Sequence, residues 1–252
     1  MKKEFSNNFI FLIILLTSAT VMACFATEIF DENREEYVVL RDESYSMDSA
    51  IIIDSLKQGR EDNFSLLTET SSDNHATAFP VDWNQDDFMD VAKAFHQFVW
   101  KESISEWKLE KMTFNLRCDE IEFGAQGAMF TFFINEKDNG IDVLMSRQLY
   151  ITPVENLAEL LETKYQPVYE RRMAIDFSKV DITVEKALMI AETNGGTEFR
   201  QEVNDNCAIN VQLNAGGKYD GWFTTYSEII SGPGKQLWAT INTETGKYKK
   251  IR

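Results

Sequence analysis

The stretch AMFTFFINEKDNGIDVLMSRQLYI, residues 128–151, predicts a pair of antiparallel strands. Two runs with strand character, Ala128 to Ile134 and Asp142 to Ile151, lie on either side of Asn139-Gly140. An Asn-Gly pair accepts the positive φ that a tight hairpin turn requires, so it is a strong signal for antiparallel pairing of the flanking runs. We therefore expect a β-hairpin in this part of the chain.

Elements of the same kind recur in the same order in two parts of the chain. The first part has apolar residues at helical spacing from Phe88 to Val99, followed by strand runs at 112–118, 128–134 and 142–151. The second part has helical spacing from Val184 to Ala191, followed by strand runs at 207–213, 222–229 and 236–242. The offset between corresponding elements stays nearly constant, which indicates a duplicated architecture.

Each part predicts one helix packed across one face of a three-stranded antiparallel sheet, because the apolar face of such a sheet must be buried. The predicted fold class is therefore α+β, with two tandem helix-plus-three-stranded units at residues 80–178 and 179–252. Ahead of these units we expect a signal peptide at residues 1–23 and an acidic leader at residues 24–79.

The first residues of the chain predict export. Lys2 and Lys3 precede a short apolar run, Phe9 to Leu16, and the sequence Val21-Met22-Ala23-Cys24 follows. These four residues resemble the lipobox of bacterial lipoproteins, and the resemblance implies that Cys24 carries a lipid anchor outside the cytoplasm. The alternative is an ordinary secretory signal cut after Ala23, which would leave Cys24 unmodified and the protein secreted.

The leader is polar and acidic, with 13 acidic and 4 basic residues between Glu28 and Asp73. Two short apolar islands interrupt it, Tyr37 to Leu40 and Ala50 to Leu56. These islands could form a strand and a short helix that dock on the main body, or they could be the only ordered pieces of a tether. The composition favours a tether with partial docking.

Cys118 and Cys207 are the two cysteines that remain when Cys24 is assigned to lipidation. An exported chain allows a disulfide between them, because disulfides form in oxidising compartments. Two separately buried thiols are the alternative, since the sequence does not say whether the two α-carbons lie within about 7 Å of each other. Both alternatives stay open at the level of the sequence.

The sequence offers few residues for catalysis. The chain has 2 histidines, His75 in the leader and His96 on the first predicted helix, and we expect His96 at the surface or boundary of that helix. No HExxH, GxSxG, P-loop or dinucleotide-binding glycine pattern occurs in the sequence. We therefore expect no catalytic residue, no cofactor and no metal site. The net charge of −16 disfavours nucleic acid as a partner.

The second part of the chain resembles the PepSY family. Its helix carries TVEKALMIA, residues 183–191, and its last predicted strand continues as ATINTETGK, residues 239–247. PepSY domains have a helix with an alanine-rich face, followed by a hairpin whose last strand leads into a polar residue, Thr, Gly and a charged residue. The resemblance implies an exported or membrane-attached bacterial protein, and some members of the family are thought to restrain peptidases. It supplies no catalytic residue.

These observations together predict a non-enzymatic, lipid-anchored protein outside the cytoplasm that binds a protein or peptide partner, with restraint of a peptidase as one form of this role. Trp222 and Trp238 are the candidate aromatic residues for partner contact, although most such side chains fill a core. The alternative function is a small-molecule carrier or a carboxylate-based hydrolase with a pocket enclosed by curved sheets.

Overall fold

Ten strands form one antiparallel sheet within the part of the chain that the computed structural model describes, residues 37–58, 64–67, 83–165, 172–216 and 221–252. The strands are β1 (Tyr37–Met47), β2 (Phe64–Leu66), β3 (Lys108–Arg117), β4 (Gly127–Asp138), β5 (Ile141–Thr152), β6 (Leu157–Tyr165), β7 (Cys207–Asn214), β8 (Trp222–Glu228), β9 (Gln236–Ile241) and β10 (Tyr248–Lys250). Their order across the sheet is β10-β9-β8-β7-β3-β4-β5-β6-β1-β2.

The structure describes four α-helices. They are α1 (Ser49–Lys57), α2 (Gln85–Ala94), α3 (Val184–Ala191) and α4 (Thr197–Glu202). A π-helical turn follows α2 at Phe95–Val99, and a turn with a kink at Asn194 and Gly195 follows α3 at Glu192–Gly196. Of the helices within the described ranges, none combines the length and apolar character needed to cross a membrane. The predicted signal peptide, Cys24 and His75 lie outside the described residues, so what the sequence indicates about them stays a prediction.

The predicted pair of tandem helix-plus-three-stranded units is wrong. β3 to β6 and β7 to β10 are each a meander of four strands, and β3 pairs with β7, so both meanders belong to one sheet. In this ladder Phe114 of β3 lies opposite Val211 of β7. The first strand of each meander would otherwise carry unpaired backbone groups along its edge, and the two edges satisfy each other.

β1 belongs to the stretch that the sequence assigned to the leader, yet it is a strand of the sheet. It pairs with β6 from Tyr37 to Ser46, and β2 pairs with its end. Tyr45 and Met47 are buried, as is Ile52 of α1. The expected tether with partial docking is therefore corrected for residues 37–58, which form part of the packed body.

Polar residues fix the points where α2 and α3 begin. The Asn84 side chain accepts hydrogen bonds from the backbone N–H groups of Asp86 and Asp87, and the Asp87 carboxylate accepts one from the N–H of Asn84. The Thr183 hydroxyl accepts a hydrogen bond from the N–H of Lys186 ahead of the first turn of α3. Such caps satisfy donors that a helix start leaves without partners.

The helices pack on one face of the sheet, which we call the helix face. Phe88 of α2 meets Phe114 of β3 edge-on, with 5.8 Å between the ring centroids. Trp222 of β8 is fully buried, and its indole N–H donates to the carbonyl of Ile182 at 2.7 Å. Because side chains alternate along a strand, the residues between these point to the opposite side, the outer face.

Cys118, directly after β3, and Cys207, at the start of β7, are joined by a disulfide with 5.2 Å between the α-carbons. Of the two states that the sequence left open, the structure contains the bridge. It closes one end of the β3–β7 ladder and so connects the two meanders covalently.

Candidate functional site

The outer edge of β1 is the main feature of the candidate site. β1 pairs with β6 along one edge, but along the other edge β2 pairs with it only from Tyr45 to Met47, and Leu67 N–H donates to the Ser44 carbonyl at 2.8 Å. Among the described residues, no strand lies against this second edge at residues 37–43. Backbone groups along such an edge can pair with another extended chain.

Four consecutive apolar side chains on this edge are exposed. The exposed fractions are 61% for Tyr37, 60% for Val38, 48% for Val39 and 46% for Leu40. Single exposed apolar residues are common, but these four flank an open strand edge on both faces of the sheet, because side chains alternate along a strand. An incoming strand would therefore contact apolar side chains as well as backbone groups.

A β-bulge and three charged residues follow the apolar run. The register with β6 shifts between Val39 and Arg41, which leaves Leu40 as the extra residue. Arg41, Asp42 and Glu43 come next in the strand. Bulges and charges on an edge strand oppose unselective pairing. The edge therefore favours a partner that matches both its apolar and its charged part.

Arg41, Glu43 and Tyr45 form a hydrogen-bonded network beside this edge. The Arg41 guanidinium donates to both carboxylate oxygens of Glu43, at 3.2 and 2.7 Å, and the Tyr45 hydroxyl donates to Glu43 at 2.6 Å. The hydrogen bonds from Arg41 lower the pKa of Glu43. Burial, and then the bond to Glu43, raises the pKa of Tyr45 to about 12. At neutral pH the network thus holds an ionised carboxylate and a neutral phenol.

A row of charged residues continues from this network into the sheet. Arg41 lies opposite Glu162 of β6, and Glu162 lies opposite Arg147 of β5. Arg147 Nε donates to Glu162 Oε2 at 3.0 Å, and only 5% and 9% of the two side chains are exposed. Glu102 accepts two further hydrogen bonds from Arg147, at 2.8 and 3.1 Å. These bonds lower the pKa of Glu102.

Two indole rings complete the surroundings of Arg147. Its guanidinium carbon lies 4.5 Å from the ring centroid of Trp100 and 4.0 Å from that of Trp107. Trp107 also donates its indole N–H to Glu102 at 3.0 Å. A planar guanidinium suits both stacking on rings and paired bonds to carboxylates. Arg147 is thus fully engaged within the protein and acts as a structural charge.

His96 lies next to this cluster and is fully buried. Its ring centroid is 4.3 Å from that of Trp100 and 4.8 Å from that of Phe132, and neither ring nitrogen has a hydrogen-bond partner within the described part of the chain. Burial, and then the charge of Arg147, lowers the pKa of His96 to about 3. The prediction of a surface or boundary position is wrong, because α-helical spacing ends where the π-helical turn begins.

The charged row lacks the features of a proton-transfer site. His96 is neutral at physiological pH and closed to solvent, and the Glu162 carboxylate is bonded to Arg147. Within the described ranges, no group of three or more His, Cys, Asp and Glu side chains is placed to hold a metal ion. What this arrangement does chemically is tie β5 to β6 and to Glu102. β1 lies beside β6 and pairs with it along its length.

The two tryptophans proposed for partner contact lie in different surroundings. Trp222 is fully buried under the helices, so its assignment as a contact residue is corrected: it is a core residue. Trp238 is half-buried on the outer face, with 6.1 Å between its ring centroid and that of Phe223. The guanidinium of Arg252 lies 5.5 Å from the Trp238 ring centroid. Trp238 therefore remains a candidate for contact.

A cleft of about 520 Å³ lies at the end of the sheet where β7 ends and β8 begins. Its lining includes Asp176, Lys179, Asn214 and Asn242. Asp176 and Lys179 form an ion pair at 3.3 Å, and Asn242 accepts hydrogen bonds from the turn that follows it. The cleft is lined by loops and strand ends, whereas the alternative function required a pocket enclosed by curved sheets.

Comparisons with known proteins identify no family for this chain. No protein-family model and no curated protein matches it. Among solved structures, a MaoC-like dehydratase from Phytophthora capsici is similar over 88% of this chain and 95% of its own, with 12% identity and a TM-score of 0.20. A TM-score this low carries no argument about fold or activity. The resemblances to PepSY domains and to the lipobox stay predictions.

Proposed function

We propose that the protein binds an extended segment of a protein or peptide partner, which adds to the sheet along the outer edge of β1. The observation that carries this proposal is the run of four exposed apolar residues, Tyr37 to Leu40, on an edge without a strand partner among the described residues. No bond of the partner is made or broken in this role. Restraint of a peptidase by an occupying segment is one form that it can take.

Strand addition draws on two sources of binding free energy. Each main-chain hydrogen bond to the edge contributes about 1 kcal/mol net, and apolar burial on Tyr37 to Leu40 adds about 25 cal/mol per Å². Main-chain bonds supply affinity for any extended segment, while side chains at alternate positions supply selectivity. We expect the partner to place apolar residues beside Val38 and Val39, and polar or charged residues beside Arg41 to Glu43.

We also propose that the protein is held at a membrane outside the cytoplasm through Cys24. Two or three acyl chains on one residue would hold a folded body at a bilayer far better than one chain. Intact mass of the protein from its native membrane tests this part separately. A native chain with the same unacylated start as the Cys24→Ala variant would show that it is secreted instead.

Selection of linear peptides from a displayed library, followed by titration, tests strand addition. We expect selected peptides to slow hydrogen exchange of the amides of residues 37–43, because added main-chain bonds protect them. Val38→Lys should raise the peptide Kd by about tenfold or more, since a lysine on an edge opposes strand pairing.

Ile230→Lys is the matched control for this titration. Ile230 is also an exposed apolar residue, but it lies in the loop between β8 and β9, and its replacement should leave the Kd unchanged. If the selected peptides bind without protecting residues 37–43, or if both variants bind equally well, the edge of β1 is not the binding site.

A further inference from the structure

The outer face of β3 and β7 to β10 is distinguished by its charge. Register and alternation place the following side chains on it: Lys111, Thr113, Asn115 and Arg117 of β3; Ala208, Asn210, Gln212 and Asn214 of β7; Phe223, Thr225 and Ser227 of β8; Gln236, Trp238 and Thr240 of β9; and Lys249 of β10. None of these residues is Asp or Glu, although the chain has 41 of them. The cations are Lys111, Arg117 and Lys249, and Arg252 joins them over Trp238.

One register row across this face carries uncharged polar groups that end in an aromatic ring. Asn115, Asn210, Thr225 and Trp238 lie opposite one another on four neighbouring strands. The side-chain amide of Asn210 donates a hydrogen bond to the side-chain oxygen Oδ1 of Asn115 at 2.8 Å, so both side chains lie on the same face. With strands about 4.8 Å apart, the row spans about 14 Å, which is comparable to a short oligosaccharide.

A second aromatic ring lies beyond the other end of the row. Gly127 of β4 is opposite Asn115, and a Cβ at this glycine would lie 3.1 Å from the Tyr150 hydroxyl, so Tyr150 extends over it. Amides and hydroxyls thus lie between Tyr150 and Trp238. The aromatic rings can stack on the apolar faces of sugar rings, and the amides between them can both donate hydrogen bonds to sugar hydroxyls and accept hydrogen bonds from them. This combination matches the chemistry of a sugar chain.

We propose that this outer face binds an acidic glycan, a sugar chain that carries carboxylates. Charge complementarity favours an acidic over a neutral chain, because Lys111, Lys249 and Arg252 lie around the row. Arg117 is the exception among the cations, since it is already paired with Asp119 at 2.9 Å. Arg252, 5.5 Å from the Trp238 ring centroid, offers a cation where a stacked sugar would place its carboxylate. This site is separate from the edge of β1 and does not rest on the proposed peptide binding.

Titration of the full chain with short oligogalacturonates tests the proposal, with neutral cello-oligosaccharides and single-stranded oligo-dT as comparisons. We expect oligogalacturonate to bind with an affinity that falls as salt rises, and cello-oligosaccharides to bind at least about tenfold more weakly. Oligo-dT binding equal to oligogalacturonate would overturn the proposal in favour of a general anion surface, and no preference over cello-oligosaccharide would overturn the acidic assignment.

Trp238→Ala should raise the Kd for oligogalacturonate by about tenfold or more, and Trp238→Phe should restore part of the affinity. Lys249→Glu changes an exposed residue and should also weaken binding, which keeps the test valid if Trp238→Ala fails to fold. Ile51→Ser, at an exposed residue of α1, is the control and should leave glycan binding unchanged. Unchanged glycan affinity in both Trp238→Ala and Lys249→Glu would overturn the site.

Discussion

A π-helical turn follows α2 and a kinked turn follows α3, and the two turns bring opposite chemistry to the sheet. The first, Phe95–Val99, carries His96, and the second, Glu192–Gly196, carries Glu192. Both residues face buried surroundings of the same sheet. One is an uncharged ring without hydrogen-bond partners among the described residues, and the other is a carboxylate with several.

Glu192 has its hydrogen bonds supplied from three sides. It accepts from the Tyr226 hydroxyl at 2.8 Å, from Arg200 Nε at 3.0 Å and from the Thr197 hydroxyl at 3.1 Å. Burial, and then Glu192, raises the pKa of Tyr226. Gly196 is required for this geometry, because a Cβ there would lie 2.6 Å from the Tyr226 hydroxyl oxygen.

The difference shows that the turn after a helix places a side chain but does not determine its chemistry. In the second half of the sheet the turn builds a satisfied polar cluster. In the first half the turn places the neutral ring of His96 among aromatic side chains, next to Arg147, whose positive charge opposes protonation of the ring. We therefore expect His96 to make the stability of the first half depend on pH.

Reduction of the Cys118–Cys207 disulfide should have the largest effect. The bridge spans 89 residues of sequence, and closing a loop of that size removes about 4–5 kcal/mol of unfolded-state entropy. Arg200 also donates to the Cys118 carbonyl, so the bridge supports the Glu192 cluster. Urea unfolding with and without reductant measures the loss. An unchanged midpoint would show that the ladder between β3 and β7 is stable without it.

Arg147→Met should lower the free energy of unfolding by about 3–5 kcal/mol, because it leaves the buried Glu162 carboxylate without its partner. Arg117→Met is the matched control: Arg117 and its partner Asp119 are both on the surface, and the change should have little effect on stability. Equal losses in the two variants would contradict the structural role assigned to Arg147.

Lowering the pH from 6.5 to 5 should destabilise the protein by about 2 kcal/mol through His96 alone. The pKa of His96 is about 3 in the folded state and 6.5 as a reference, so the unfolded chain binds the proton first. This contribution is complete above pH 6.5 and is lost progressively down to pH 3. The lowered pKa of Glu102 also makes the protein less stable in acid, but only at the more acidic pH values at which a carboxylate takes up a proton.

His96→Leu separates this effect from other acid effects. The variant keeps a buried apolar side chain but has no titrating nitrogen, so its stability should be nearly independent of pH between 6.5 and 5. Urea midpoints at several pH values in this window give the comparison. If the variant retains the slope of the native protein, another group is responsible for it.

Tyr226→Phe should have the smallest effect, a loss of about 1.5 kcal/mol, because Glu192 keeps its bonds from Arg200 and Thr197. Its pH dependence between 6.5 and 5 should match that of the native protein. Urea unfolding at both pH values checks the two statements together. A changed slope would mean that the second cluster also titrates in this window.

The sequence predicted the local elements well and their assembly poorly. The hairpin at Asn139-Gly140 depends on neighbouring residues, and the structure contains it. Pairing of β3 with β7 depends on residues far apart, which no local pattern encodes. β1 was foreseen only in part. Tyr37 to Leu40 was one of two islands that could form a docked strand and helix, but Arg41, Asp42 and Glu43 make the composition around it resemble that of a linker.

The candidate site could be predicted only in part. The apolar island from Tyr37 to Leu40 was visible, but its position on an open edge follows from the sheet order. Arg147 was missed, although a charged residue at a position where Leu149 and Ile151 alternate into the core is a readable signal. The burial of His96 could not be predicted, because no sequence pattern indicates the π-helical turn in which it lies.

The antiparallel pairing between β3 and β7 has a consequence for the order in which the chain can fold. Tyr37 cannot pair until Tyr165 has been synthesised, and Arg117 cannot pair until Ala208 has been synthesised. The sheet therefore cannot form completely until most of the chain has been made. Contacts so distant in sequence give a high contact order, and such topologies fold slowly because loop-closure entropy must be overcome first. Until their partners are made, the edges of β1 and β3 are exposed to other chains, and in this interval aggregation competes with folding.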